Sequence, residues 1–292
     1  MTKVLNGQRL LKAALMGFSL TMGVIGCKKD DKDPQPVLEV QLKAHATLGN
    51  MLVDKDGRSL YFFASDATGA NTCTGGCEAL WPVFNATLSA DKLGAGLTLS
   101  DFTTGTTGSG KAQLIYKGRP LYYYAPLANG ANTPEAAGEV KGEGFGGNWY
   151  VAKPDYSVML SNAQLVGADG KNYLANFTEG TGKTVYFTDS KGVTLYTFSK
   201  DKQNVNSFTK ADFSNNGVWP IYETDKVVVP SVLDKTLFGS IVVFGKKQLT
   251  YKGWPLYGFG QDNSVPGATK GVSFPTPGIW PVGRKDIAAA NP

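Results

Sequence analysis

Cys73 and Cys77, in Cys73-Thr74-Gly75-Gly76-Cys77, are the most reactive-looking pair in this 292-residue chain. In an oxidising compartment two thiols this close in sequence form a local disulfide. Closing so short a loop stabilises by only about 2 kcal/mol, so its use is to shape the loop that leads to Trp81. A redox-active dithiol is the second reading and stays open. Haem attachment needs a His directly after the second Cys, where Glu78 stands, and a zinc site needs more thiolates or imidazoles than three Cys and one His supply. The one His, His45, is a candidate metal or haem ligand with no second motif behind it. No Gly-x-Ser-x-Gly elbow accompanies it, which disfavours a Ser-His-Asp hydrolase. Gly105 to Lys111 and Gly180 to Thr184 imitate parts of a phosphate loop, but neither completes the pattern or leads into a helix.

The carboxylates form a more regular set. Asp66, Asp201 and Asp262 each follow an aromatic pair, just past a strand end, where Asp closes turns through backbone amides. A cation or ligand role is the alternative for them. Asp54 and Asp56 open like a calcium loop but lack its later ligands, and read as a turn. Tyr and Trp combine an apolar body with a polar tip and could line a ring-binding surface. Their fourfold repetition fits a structural core better.

What must position these groups is a phrase that occurs four times: Gly57 to Tyr61, Gly118 to Tyr122, Gly192 to Tyr196 and Gly253 to Tyr257, each ending Leu-Tyr. A second aromatic follows two residues on, at Phe63, Tyr124, Phe198 and Phe259. A short apolar strand precedes each Gly, which supplies the positive φ of a tight turn, so each unit reads as a β-hairpin with Tyr and its second aromatic on one face. A Trp follows each Tyr, at Trp81, Trp149, Trp219 and Trp280, and is expected to pair with its own hairpin. Gln113 to Tyr122 answers Gln248 to Tyr257 at a constant offset, which points to a tandem duplication. With 36 Gly, 15 Pro and no long helical periodicity, the expected fold is all-β, four pseudo-equivalent hairpin units in a small propeller-like or packed-sheet arrangement. Residues 44–153 form the first repeat module and 182–285 the second; 154–181 is an extra hairpin segment between them, and 286–292 a tail.

The first residues carry an address instead of a fold. Lys3, Arg9 and Lys12 precede a short apolar run that ends in Gly26-Cys27, which resembles a bacterial lipoprotein signal: 1–26 removed, Cys27 lipidated. Residues 27–43, charged and Pro-bearing, read as the lipidated Cys and a disordered tether. Removing 1–26 leaves 26 basic against 24 acidic residues, a net +2, so composition makes no case for a nucleic-acid partner.

The repeats themselves resemble the bacterial lipoproteins known as a secreted repeat of unknown function, described by a Tyr-x-(Phe/Trp/Tyr)-x-x-Asp motif. That motif stands here as Tyr61, Phe63 and Asp66; as Tyr196, Phe198 and Asp201; and as Tyr257, Phe259 and Asp262. The second unit departs from it, with Leu127 where the Asp belongs. The Cys-containing stretch before Trp81-Pro82 also resembles the family, whereas the later copy has Phe208 and Phe213 in that region. The resemblance spans residues 44–285. It implies a lipid-anchored envelope protein whose partners are the membrane and another envelope protein or small ligand. Lys29-Asp30-Asp31 just behind Cys27 resembles signals that send lipoproteins to the outer surface of the outer membrane, with a spacer facing the periplasm as the alternative. A non-enzymatic binding or structural component without a cofactor is the expectation. A redox accessory, or a metal- or haem-binding protein, is the alternative.

Overall fold

The computed structural model describes residues 36–292, which form one compact unit. Cys27, the signal segment and most of the tether lie outside the described residues. The chain is built of short strands: β1 (Val40–His45), β2 (Gly49–Asp54), β3 (Tyr61–Phe63), β4 (Phe102–Thr106), β5 (Ala112–Tyr116), β6 (Arg119–Pro120), β7 (Leu127–Ala128), β8 (Ala131–Asn132) and β9 (Trp149–Val151). After these come β10 (Met159–Val166), β11 (Asn172–Tyr173), β12 (Lys183–Thr188), β13 (Phe238–Val243), β14 (Lys246–Tyr251) and β15 (Trp254–Pro255). The one α-helix among the described residues is α1 (Gly76–Leu80), a single turn in the cysteine loop.

The strands form antiparallel sheets of two or three members, β1-β2, β3-β9, β4-β5-β6, β7-β8, β11-β10-β12 and β13-β14-β15, and none closes into a barrel. The fold is all-β, and among the described residues no sheet has the four strands of a propeller blade. The turn chemistry follows from local sequence. Lys117-Gly118 and Lys252-Gly253 both have positive φ at each residue (49° and 78°, 49° and 83°), the conformation a two-residue hairpin needs. The other two turns are longer, and an Asp side chain closes them. Asp54 Oδ1 accepts from the Asp56 and Arg58 amides at 2.9 and 2.8 Å, and Asp189 Oδ1 from those of Lys191 and Val193 at 2.8 and 2.9 Å. Asp54 is therefore spent on a turn.

Beyond each turn the chain returns along its own strand: Leu60, Leu121, Leu195 and Leu256 donate their amides to Leu52, Leu114, Phe187 and Leu249. Alternation then divides the Leu-Tyr phrase between two cores. Each Leu enters a central apolar cluster shared along the chain, with Val40, Leu52, Leu114, Phe187 and Leu249. The Tyr residues enter two separate aromatic clusters, Tyr61 and Tyr122 around Trp81 and Trp149, Tyr196 and Tyr257 around Trp219 and Trp280. Residues 159–166 are one continuous strand that pairs over six positions with β12, from Met159 opposite Thr188 to Gln164 opposite Lys183. The segment 154–181 therefore shares a sheet with the strand that follows it.

Candidate functional site

The motif residues converge in the two aromatic clusters, and they do so by exchange between neighbouring hairpins. Tyr61 and Tyr122 donate their amides to each other's carbonyls at 2.9 and 3.1 Å, as Tyr196 and Tyr257 do at 2.8 and 2.9 Å. This backbone pairing sets two hairpins side by side. Their hydroxyls then cross over: Tyr122 Oη donates to Asp66 Oδ2 at 2.5 Å, Tyr257 Oη to Asp201 Oδ2 at 2.7 Å, and Tyr196 Oη to Asp262 Oδ2 at 2.6 Å. The second carboxylate oxygen of each Asp accepts a backbone amide six or eight residues further on, from Thr72, Ser207 and Lys270 respectively. Each Asp thus closes a loop, as Asp at a strand end does, and also caps a hydroxyl of the neighbouring hairpin.

The unit that lacks the motif Asp solves the same problem with a residue that the motif spacing does not reveal. Leu127 lies on the surface, 71% exposed. Tyr61 Oη instead donates to Glu135 Oε1, and Glu135 Oε2 accepts the Lys141 amide at 2.8 Å. A longer side chain, eight residues beyond Leu127, reaches the place of the missing Asp. The sequence signal for it is faint, a lone Glu in Thr133-Pro134-Glu135.

The rings stack by the same exchange. Each Tyr meets the Trp that follows it edge-on, with ring centroids 5.1–5.4 Å apart in all four units. The aromatic two residues past each Tyr lies over the neighbouring hairpin's Trp: Phe63 stacks on Trp149 at 4.1 Å and Phe198 on Trp280 at 4.4 Å, while Tyr124 on Trp81 at 4.6 Å and Phe259 on Trp219 at 4.2 Å are tilted by 40° and 30°. Between them, Trp81 stacks on Trp149 and Trp219 on Trp280, both at 3.7 Å. The result is a four-ring pile in each cluster, each ring contact worth about 0.5–1.5 kcal/mol beyond its buried area. Two glycines make room for the piles. A Cβ on Gly142 would sit 2.8 Å from Trp81 and 2.9 Å from Tyr61, and one on Gly271 would sit 2.7 Å from both Trp219 and Tyr196. No spacing rule singled out either glycine.

Burial sets the electrostatics. Desolvation raises Asp66 and Asp262 from 3.8 to about 6, and the bonds from Tyr122 and Thr72, or from Tyr196 and Lys270, offset only part of it. Glu135 and Asp201 are raised by the same cause. The partner tyrosines are pushed well above their ordinary value, first by desolvation and then by the carboxylates, so they remain donors. Four carboxylates held this way are cross-links inside the protein.

The remaining candidates sit apart. Cys73 and Cys77 form a disulfide with Cα atoms 5.3 Å apart, and Cys73 is 2% exposed against the Trp81 cluster. Phe208 packs edge-on to Trp280 at 4.8 Å, and Phe213 faces Phe244 at 6.1 Å. His45 ends β1, and its Nδ1 lies 3.3–3.4 Å from the Thr47 and Leu48 amides and the Thr47 hydroxyl, all within its own turn. Among the described residues no three His, Cys, Asp or Glu side chains are grouped to hold a metal ion. Gly105 to Lys111 is the β4–β5 turn, closed by the Thr107 amide on the Lys111 carbonyl, and Lys183 opens β12.

A family model described as a secreted repeat of unknown function matches the chain at residues 44–85 and again at 243–282. No curated protein and no solved structure matches it. The first stretch holds Tyr61, Phe63, Asp66, both cysteines and Trp81; the second holds Tyr257, Phe259, Asp262 and Trp280. These matches are narrower than 44–285 and leave the second and third phrases between them. The family is described as secreted, and no helix among the described residues is long and apolar enough to cross a membrane. Two stretches of the chain, one towards each end, are thus similar to the secreted repeat of unknown function.

Proposed function

We propose that this protein is a lipid-anchored component of the bacterial cell envelope, held at the outer membrane through Cys27, with a binding or structural role and no catalysis of its own. The observation that carries the reading is the crossed tyrosine–carboxylate bonding. The residues whose types could do acid–base chemistry are bonded to one another and to backbone amides, closed off from solvent. A repeat that spends Tyr, Asp and Trp on its interior supplies a rigid frame and leaves recognition to the surface. The basic front, short apolar run and Gly26-Cys27 support the anchor, and a family described as secreted agrees with export.

The competing redox reading rests on Cys73 and Cys77, and the packing of Cys73 against the tryptophan cluster favours a structural use for the bond. The anchor is tested by Cys27→Ala: labelling with a fatty-acid probe should be lost and the protein should leave the membrane fraction. Retained membrane association would make the lipid assignment wrong. An absorption spectrum and metal analysis of the purified chain address the cofactor alternative, since a bound haem or stoichiometric metal would displace the scaffold reading.

A further inference from the structure

A cavity of about 630 Å³ opens over one face of the β10–β12 pair, within the size range of small-molecule sites. Register puts Leu160 of β10 and Lys183 and Val185 of β12 on that face, since Leu160 pairs with Phe187 and Gln164 with Lys183. Tyr150 of β9 and Val232 complete an apolar wall, and Arg284 to Asp286 form the opposite rim. The rim is braced from behind: the Lys285 carbonyl accepts from Tyr251 Oη at 3.0 Å and Lys252 Nζ at 2.9 Å.

The charges at this cavity are unbalanced. Lys183 and Lys285 are exposed and have neither an ion pair nor a side-chain hydrogen bond among the described residues. Arg284 Nε is buried and has no hydrogen-bond partner among the described residues; the exposed Asp286 Oδ1 lies 3.6 Å from that same nitrogen, within ion-pair range but too far to bond it. A guanidinium N–H shut away from water needs an acceptor, and Arg is suited to carboxylates and phosphates. Three cations with one loosely placed acid, beside a wall of Tyr, Leu and Val, suit a ligand that is anionic at one end and apolar at the other.

We propose that this cavity binds a small amphipathic anion, one carboxylate or phosphate head joined to an apolar tail or ring. The head lies between Arg284, Lys183 and Lys285, and the tail runs along Tyr150, Leu160 and Val185. This rests on the binding half of the function proposed above and is independent of the anchor, which Cys27→Ala tests separately. The experiment titrates the purified full chain with hexyl phosphate by calorimetry, against inorganic phosphate and 1-hexanol; the Cys27→Ala chain, titrated in parallel, should bind equally. Saturable binding of hexyl phosphate is expected, with phosphate and hexanol each weaker by roughly tenfold or more. Arg284→Gln should weaken it by roughly tenfold, as should the double variant Lys183→Gln/Lys285→Gln, whose exposed positions leave the fold intact by near-ultraviolet circular dichroism. No saturable binding, or equal binding of inorganic phosphate, overturns the proposal. So does attachment to phosphatidylglycerol vesicles without affinity for hexyl phosphate, which would mark a membrane-facing surface instead.

Discussion

Shifting the pH from 7.5 to 4.5 should stabilise this protein, the reverse of the loss that acid usually causes. Asp66 and Asp262 ordinarily lose their protons near 3.8, and burial holds them at about 6 in the folded chain. The folded state therefore binds these protons more tightly than the unfolded state. Their contribution is fully present below the unfolded value and is lost as pH rises through 6. A displacement from 3.8 to about 6 is worth about 3 kcal/mol per carboxylate in full, of which the step from pH 7.5 to 4.5 recovers about 2, so about 4 kcal/mol for the two if they act independently. Glu135 and Asp201 add in the same direction. Asp56, Asp91, Asp169, Asp212 and Asp234 are held below their ordinary value, but they are fully solvated and titrate below this window. Urea unfolding at pH 4.5, 6.0 and 7.5, followed by tryptophan fluorescence, reads the effect directly. The midpoint should fall with rising pH, and Asp66→Asn/Asp262→Asn should flatten most of the trend. A midpoint that is level, or that climbs from pH 4.5 to 7.5, would refute the idea that desolvation governs these groups.

Three further outcomes follow from the packing. Gly271→Ala, and equally Gly142→Ala, forces a methyl group into a tryptophan pile and should cost about 2–3 kcal/mol in urea unfolding, with altered near-ultraviolet circular dichroism. Glu135→Leu should cost about 2 kcal/mol because Tyr61 loses its acceptor, whereas Leu127→Ala at the motif's vacant position should change stability by less than about 0.5 kcal/mol in the same assay. Cys73→Ser/Cys77→Ser should lower stability by about 2 kcal/mol while the far-ultraviolet spectrum at 20 °C is kept, since the bond closes a short loop in a protein with large cores.

Much of the local architecture could be read from the chain because local chemistry decides it. Lys117-Gly118 and Lys252-Gly253 can only be tight reversals, and Leu-Tyr at two-residue alternation must send its two side chains to opposite faces. The Trp that follows each Tyr does meet it, edge-on. What spacing could not reveal is the exchange between hairpins, because partners 56 to 74 residues apart are chosen by the Tyr–Tyr backbone pairing and not by sequence distance. Glu135 escaped notice for the same reason: it meets a geometric need at a place with no fixed offset. Gly142 and Gly271 matter only once the ring piles exist. The cavity rim at Arg284 is likewise invisible beforehand, since it depends on residues 284–286 lying across β12.

The crossed bonding also determines how the chain can be cut. One hairpin on its own holds a tyrosine whose acceptor belongs to its neighbour, a carboxylate whose donor is elsewhere, and a Trp missing the ring that covers its face. The smallest portable piece is therefore a couple of hairpins and never one. Gene truncations and chimaeras made between Tyr61 and Trp149, or between Tyr196 and Trp280, should yield insoluble protein. Crossovers near residue 154 leave both couples whole but divide the central apolar cluster, so they suit recombination that keeps a matching second half and not expression of either half alone.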